Sequence, residues 1–388
     1  MTSRARFWVL VVSTPIIAFA IIGGYLGQVI ASSDATFQHL RVFDDVFSLV
    51  LNNYVQDVDV KKAMRGAMNG LAEGLDPDSG FLSPDLVKAV ESNQPLGPAD
   101  VGVDVTRQYY LRIMDVRDGS PAAKAGLRAG DFIRAIDGKP TRDMSSYEGL
   151  RLLHGQPGSK ITLLIIRGNA ADPHEVPLVR ERVGGPELTS HMADATTGYI
   201  HVADFEKDTA GHLKQAVESL TRSGASKLII DLRNSAHGDL DDGIAAARLF
   251  VRSGTLAVKQ TKTQKQPITA QAGDGAIAAP LALLVDSGTA GPAEVFASAL
   301  RGNNRAQLIG EHTLGRAAHQ HLVKLPDGSG LLITVERYLT PASAQLHEKG
   351  LEPDVEVDQP DVEFGSQPPT TDATLQRAIQ ALAQKKAA

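Results

Sequence analysis

Two runs of this chain are apolar along their length at the scale of a single strand: KLIIDLRN at residues 227–234 and PLALLVDS at residues 280–287. A strand without a polar face has to be covered on both sides, which is the situation inside an α/β sheet. Each run leads into a helical pattern, the first through Gly243–Val251 and the second from Pro292 to Leu300, which then leads to AQLIGE. Upstream, TGYIHVADF reads as a strand. DTAGHLKQAVESLTRSG reads as a helix capped by Asp208 or Thr209, with Leu213, Ala216, Val217 and Leu220 on its apolar face. Repetition of strand, helix and strand implies right-handed crossovers, so residues 184–357 are expected to form an α/β core with a mostly parallel sheet.

Other patterns surround that core. In residues 35–94, FQHLRVFDDVFSLVLNNYV places Leu40, Phe43, Val46, Phe47 and Val50 on one helical face, and a second helix covers about Lys61 to Glu73. GLDPDSGFLSP, with two prolines and two glycines, breaks it. From Pro98 to Val183 the pattern is one of short strands such as YYLRIMDV and KITLLIIRG. After Val357 a Pro/Asp/Ser-rich linker precedes a short helix near Ala373–Gln384. The expected division is 1–33, 34–97, 98–183, 184–357 and 358–388, and 388 residues suffice for two or three domains at roughly 150 residues each.

Composition removes several function classes. The formal net charge is -6, and no basic run stands out beyond the N-terminus, which argues against nucleic acid as a partner. The chain has no cysteine, so disulfides and cysteine-based zinc or redox sites are excluded. His319 and His321 form a His-x-His pair near Glu311 and His312, but no HExxH helix accompanies them, and neither a metal nor a cofactor is expected. The 24 residues from Phe7 to Ile30 carry no charge, follow Arg4 and Arg6, and are long enough to cross a bilayer. The expectation is a membrane anchor with its N-terminal side in the cytoplasm, and the rival is a signal peptide cut after Ala31. Both readings export the remainder.

GSPAAKAGLRAGDFIRAIDGKP, residues 119–140, resembles the PDZ pattern: a strand, a short Ala-rich helix, Gly-Asp, then a strand ending in Asp-Gly. A PDZ domain takes an extended peptide as an added strand and holds its C-terminal carboxylate on backbone N–H groups. The resemblance puts the carboxylate loop at Asp100-Val101-Gly102-Val103, with Val101, Gly102 and Val103 as binding residues. Tyr147, Leu150 and Arg151 would stand on the helix beside the groove.

A wider resemblance covers residues 40–357. GLDPDSGFLSP, the inserted PDZ module, LIIDLRN, LLVDSGTAGPAE, LIGEHTLGRAAHQ and YLTPASAQLHEKGLEPDV occur in the order found in C-terminal processing peptidases, also called tail-specific proteases. That family acts through a Ser–Lys dyad, with a glutamine positioning the lysine and backbone amides forming an oxyanion hole. Its nucleophile turn reads Ser-Ala-Ser-Ala-Ser-Glu, and its base lies in Gly-Lys followed four residues later by Gln. Anchored on Glu294, the serine position is Gly291, the lysine position Arg316, and the glutamine is kept as Gln320. The separation of 25 residues from Gly291 to Arg316 agrees with the family spacing. The oxyanion donors fall on Pro292, which has no N–H, and on the turn Ser235-Ala236-His237-Gly238, where only Gly238 matches the family's Asn-Pro-Gly-Gly.

These departures touch three functions. Gly291 offers no nucleophile. Arg316 carries a guanidinium, which stays protonated and cannot act as a general base. Loss of the Pro292 donor is worth on the order of 3 kcal/mol of transition-state stabilisation. A dyad relocated to Ser287, Thr289 or Ser298 with Lys324 is disfavoured, because Lys324 lies about 13 Å beyond Gln320 along an extended strand. The expected fold is α/β plus α+β: a membrane helix, a helical segment, an inserted PDZ domain and a peptidase-like core. The expected role is an exported, inactive relative in the bacterial cell envelope, its bulk periplasmic. Its partners would be protein C-termini or unfolded peptides, other envelope proteins and an active relative. The alternative is an active serine endopeptidase with a rearranged site.

Overall fold

A computed structural model describes residues 37–168, 172–182, 184, 187–358, 364 and 371–384. The apolar segment from Phe7 to Ile30 lies outside the described residues. Among those described, no helix is long and apolar enough to cross a membrane. Two compact units divide at Arg65 and Gly66. In the first, residues 37–53 are helical, and Leu40, Phe43, Val46 and Val50 are all exposed. The apolar stripe exists as the spacing requires, and Phe43 stacks on Phe47 at 6.2 Å.

The second unit contains the PDZ module. Its strands run in the order Val103–Gln108, Tyr110–Val116, Phe132–Ile136, Lys160–Ile166 and His174–Val179, all pairs antiparallel. Strand Lys160–Ile166 alternates between a buried face of Ile161, Leu163 and Ile165 and a more exposed one, as a half-covered sheet demands. Ser120 and Ser145 each accept a bond from the N–H three residues on, Ala123 and Glu148 at 3.1 Å, and so fix the starts of helices Pro121–Lys124 and Ser146–Leu153. Gly149 is required by close approach, since a Cβ there would lie 2.2 Å from Leu111 Cδ1.

The peptidase-like core has two sheets. One has the order Val355–Glu356, Ala306–Gly310, Leu281–Val285, Lys227–Asp231, Thr197–Val202 and Leu188–Met192, parallel except for its last pair. Its central strands Leu281–Val285 and Lys227–Asp231 are covered on both faces, which is why they lack an exposed polar side. Leu228, Ile230, Leu281, Leu283 and Leu308 pack with residues of helices Thr209–Arg222, Leu240–Ala247 and Pro292–Gly302. Ile229, Ala282, Leu284 and Ile309 pack with Ala378 and Leu382 of helix Ala373–Gln384.

The second sheet corrects the expectation of a mostly parallel core. Gly80–Leu82, Gly330–Leu339, Thr255–Thr261 and Lys265–Thr269 pair in that order, with Ala318–Lys324 also on Gly330–Leu339, and every pair is antiparallel. Over the whole molecule antiparallel pairing therefore prevails. The physical reason is the short connection: tight turns such as residues 262–264 and 325–329 leave no room for the helix a parallel crossover needs.

Candidate functional site

Strand Leu281–Val285 ends at Asp286, whose buried carboxylate accepts bonds from Asn234 N (3.1 Å) and Gly288 N (2.9 Å) and from the Thr289 hydroxyl (3.1 Å). Burial pushes its pKa up to about 6. The turn closes at Gly291, with φ 57° and ψ -122°, a left-handed conformation that suits glycine. Helix Pro292–Gly302 follows, with Pro292 where a missing N–H is harmless to the helix. A Cβ on Gly291 would lie 3.2 Å from the Ala236 carbonyl oxygen and 3.8 Å from the Arg316 carbonyl oxygen. A side chain at the nucleophile position would therefore start out beside two backbone carbonyl oxygens.

Glu294 holds the turn in shape. It is fully buried and accepts from Gly291 N (3.2 Å), Gly315 N (2.6 Å), Arg316 N (2.7 Å) and the Thr313 hydroxyl. Burial raises its pKa, and these four donors pull it back toward the charged form. The residue thus ties the elbow at Gly291 to the segment that carries Arg316.

The Arg316 side chain is 8% exposed, and its Nη1 donates to Asp78 Oδ2 at 3.3 Å. Asp78 Oδ1 accepts from Thr106 Oγ1 of the PDZ module at 3.4 Å, so PDZ strand Val103–Gln108 borders the site. Gln320 donates through Nε2 to Thr334 Oγ1 (3.3 Å) and Ala318 O (3.4 Å), not to Arg316. Gly238 pairs with Phe205 in a two-residue parallel bridge, with φ 121°, and a Cβ there would strike the Phe205 carbonyl at 1.9 Å. Lys324 is bound to Glu91 at 2.6 Å, Thr289 is fully buried, and Ser298 is buried in its helix.

His237 joins the turn at residues 235–238 to the PDZ module. Its Nδ1 lies 3.2 Å from Asp104 Oδ2, and that bond pushes its pKa up to about 9. The PDZ loop itself is internally satisfied. Gly102, with φ 80°, donates its N–H to Asp100 Oδ1 at 2.7 Å, while Asp100 Oδ2 accepts from Arg117 at 2.9 Å. Val101 and Val103 are buried. Leu150 packs on the PDZ core, and Arg151 Nη1 lies 3.5 Å from the Tyr147 hydroxyl and 3.3 Å from Gln94 O. The Gly102 amide, where the resemblance places a peptide carboxylate, donates here to Asp100, two residues upstream.

Residues the sequence reading passed over are Asp78, Asp104 and His347. Asp78 sits in the GLDPDSGFLSP break, a turn signal that draws attention to geometry rather than to charge. Asp104 and His237 are 133 positions apart, a separation at which spacing carries no signal.

The model of peptidase family S41 matches residues 196–357, and that of the PDZ domain matches residues 112–167. The carboxy-terminal-processing protease of Bartonella bacilliformis is 29% identical over 332 residues, 84% of this chain and 76% of that protein. The carboxyl-terminal-processing protease of Synechocystis sp. is 34% identical over 276 residues, 70% of this chain and 65% of that one. Among solved structures, a photosystem II D1 C-terminal processing protease matches with a TM-score of 0.69 and 29% identity, over 81% of this chain and 86% of that one. The order of elements and the PDZ module at the rim of the core agree with these matches: the chain carries a peptidase family S41 core and a PDZ domain, and over most of its length it is similar to C-terminal processing proteases.

Proposed function

We propose that this chain is a pseudopeptidase of that family, binding peptide C-termini or unfolded segments through its PDZ groove without cutting them. The carrying observation is the state of the elbow. Gly291 has no hydroxyl, the Ala236 carbonyl faces its Cβ position, and Arg316 is a permanent cation paired with Asp78. Strand Val103–Gln108 lies at the edge of the PDZ sheet, where a peptide strand adds. A bound carboxylate would take over the Gly102 N–H from Asp100. The chain is exported and held at the bacterial envelope by its apolar N-terminal segment, and acts there as a scaffold or regulator of other envelope proteins, including an active relative.

The competing reading, an active serine endopeptidase with a rearranged site, is favoured by the names of the relatives. A fluorophosphonate probe separates the two: the pure protein is expected to stay unlabelled while binding a fluorescent peptide with a free C-terminus, and to lose that binding on Gly102→Glu. Reproducible labelling of one serine overturns the proposal.

A further inference from the structure

His347 is a buried imidazole with nothing to bond to. It is 2% exposed, and neither ring nitrogen has a hydrogen-bond partner. A buried polar group left in that state costs stability, so such groups in native proteins call for an explanation. One of its nitrogens forms a cluster with one carboxylate oxygen each from Asp76 and Asp78, the three atoms lying within 4.8 Å of one another.

Both carboxylates are held in place by their surroundings. Asp76 Oδ1 accepts from the N–H groups of Asp78 (2.9 Å) and Ser79 (2.8 Å), and its Oδ2 accepts from Ser79 Oγ (2.9 Å). Asp78 accepts from Thr106 Oγ1 and Arg316 Nη1. Such outer bonds orient ligands in metal centres. Burial lowers the basicity of His347, which favours the neutral ring with a free lone pair.

We propose that Asp76, Asp78 and His347 form a divalent-cation site, with Zn²⁺ the ion that best suits one imidazole and two carboxylates. Zinc binds such atoms at about 2 Å, so the cluster closes inward when the ion enters. Arg316 opposes entry. It holds Asp78 by a single contact at 3.3 Å, its buried Nε has no partner, and it must yield that carboxylate to the ion. The site joins the Asp76–Ser79 loop to the segment carrying His347, and it requires neither peptide binding nor catalysis.

Calorimetric titration of the metal-stripped full chain with Zn²⁺ near neutral pH tests this. One saturable site is expected, weakened roughly tenfold or more by His347→Ala and by Asp76→Asn, and tightened by Arg316→Gln. Cobalt(II) in place of zinc should give visible absorption that the first two variants lose. A His319→Ala and His321→Ala double variant should keep the site, which separates it from the His-x-His pair on strand Ala318–Lys324. Absence of Zn²⁺ binding by the wild-type chain overturns the proposal. So does binding unchanged by His347→Ala, or abolished by the His319 and His321 changes. If His347→Ala does not fold, His347→Gln replaces it, and Arg316→Gln, which removes no ligand, still decides: affinity that fails to rise counts against the site.

Discussion

Arg316 and Asp78, 238 positions apart in the chain, meet at 3.3 Å with their side chains only 8% and 20% exposed. Removing one member of a buried pair strands the other charge. Asp78→Ala is therefore expected to lower unfolding stability by about 3 kcal/mol or more, and Arg316→Met added to it should recover most of the loss. Urea denaturation of the two single variants and the double variant measures the coupling. Strictly additive losses would show that the two charges do not depend on each other.

Glu294 is fully buried and accepts four donors. Glu294→Gln turns one of its oxygens into a donor facing the N–H groups that it used to receive. A loss of about 2–4 kcal/mol is expected, consistent with leaving one or two buried donors unsatisfied. Chemical denaturation reports it, and a change below about 0.5 kcal/mol, the scale of an ordinary surface substitution, would contradict the role assigned to Glu294.

Restoring the side chains of a Ser–Lys dyad is not expected to restore hydrolysis. In Gly291→Ser with Pro292→Ala and Arg316→Lys, the new Cβ still sits 3.2 Å from the Ala236 carbonyl oxygen. The turn that carries the family's second oxyanion donor thus presents a carbonyl oxygen to the restored serine. Labelling by a fluorophosphonate is expected only when Ser235-Ala236-His237 is also replaced by Asn-Pro-Gly. Labelling of the three-site variant alone would show that the turn already supports catalysis.

The His237–Asp104 contact makes stability depend on pH. His237 is raised from its ordinary value of 6.5 to about 9, chiefly by the bond to Asp104 and also by Asp104 and Asp204 charges, with Arg117 opposing. Its contribution is therefore complete below about 6.5 and is lost as pH rises through about 9. Thermal midpoints should fall over that window in the wild type and fall less in His237→Gln. Equal slopes in the two proteins would exclude this pair as the cause. Half of the His237 side chain is in water, which screens the pair.

What the sequence discloses follows from the range of each signal. Continuous apolar strands and the 3.6-residue spacing of helix Thr209–Arg222 are local, and both elements lie where their patterns put them. The antiparallel sheet was harder to read. Residues 325–329, Leu-Pro-Asp-Gly-Ser, announce a hairpin, but residues 262–264, Lys-Thr-Gln, carry no glycine or proline to mark the turn between Thr255–Thr261 and Lys265–Thr269. The elbow was legible because Gly291, Pro292 and Glu294 are contiguous. The partners of Arg316 were not, since Asp78 comes from a loop near the start of the fold and no spacing rule links them.

Helix Ala373–Gln384 has a further consequence. Its Ala378 and Leu382 shield Ile229, Ala282, Leu284 and Ile309, and Asp372 just before it grips Arg233 at 2.7 Å. The central sheet therefore cannot dry its second side until this helix has been translated. Stripping the helix away would wet four aliphatic residues at once, so a peptidase working inward from beyond Gln384 would first have to pull it off the sheet.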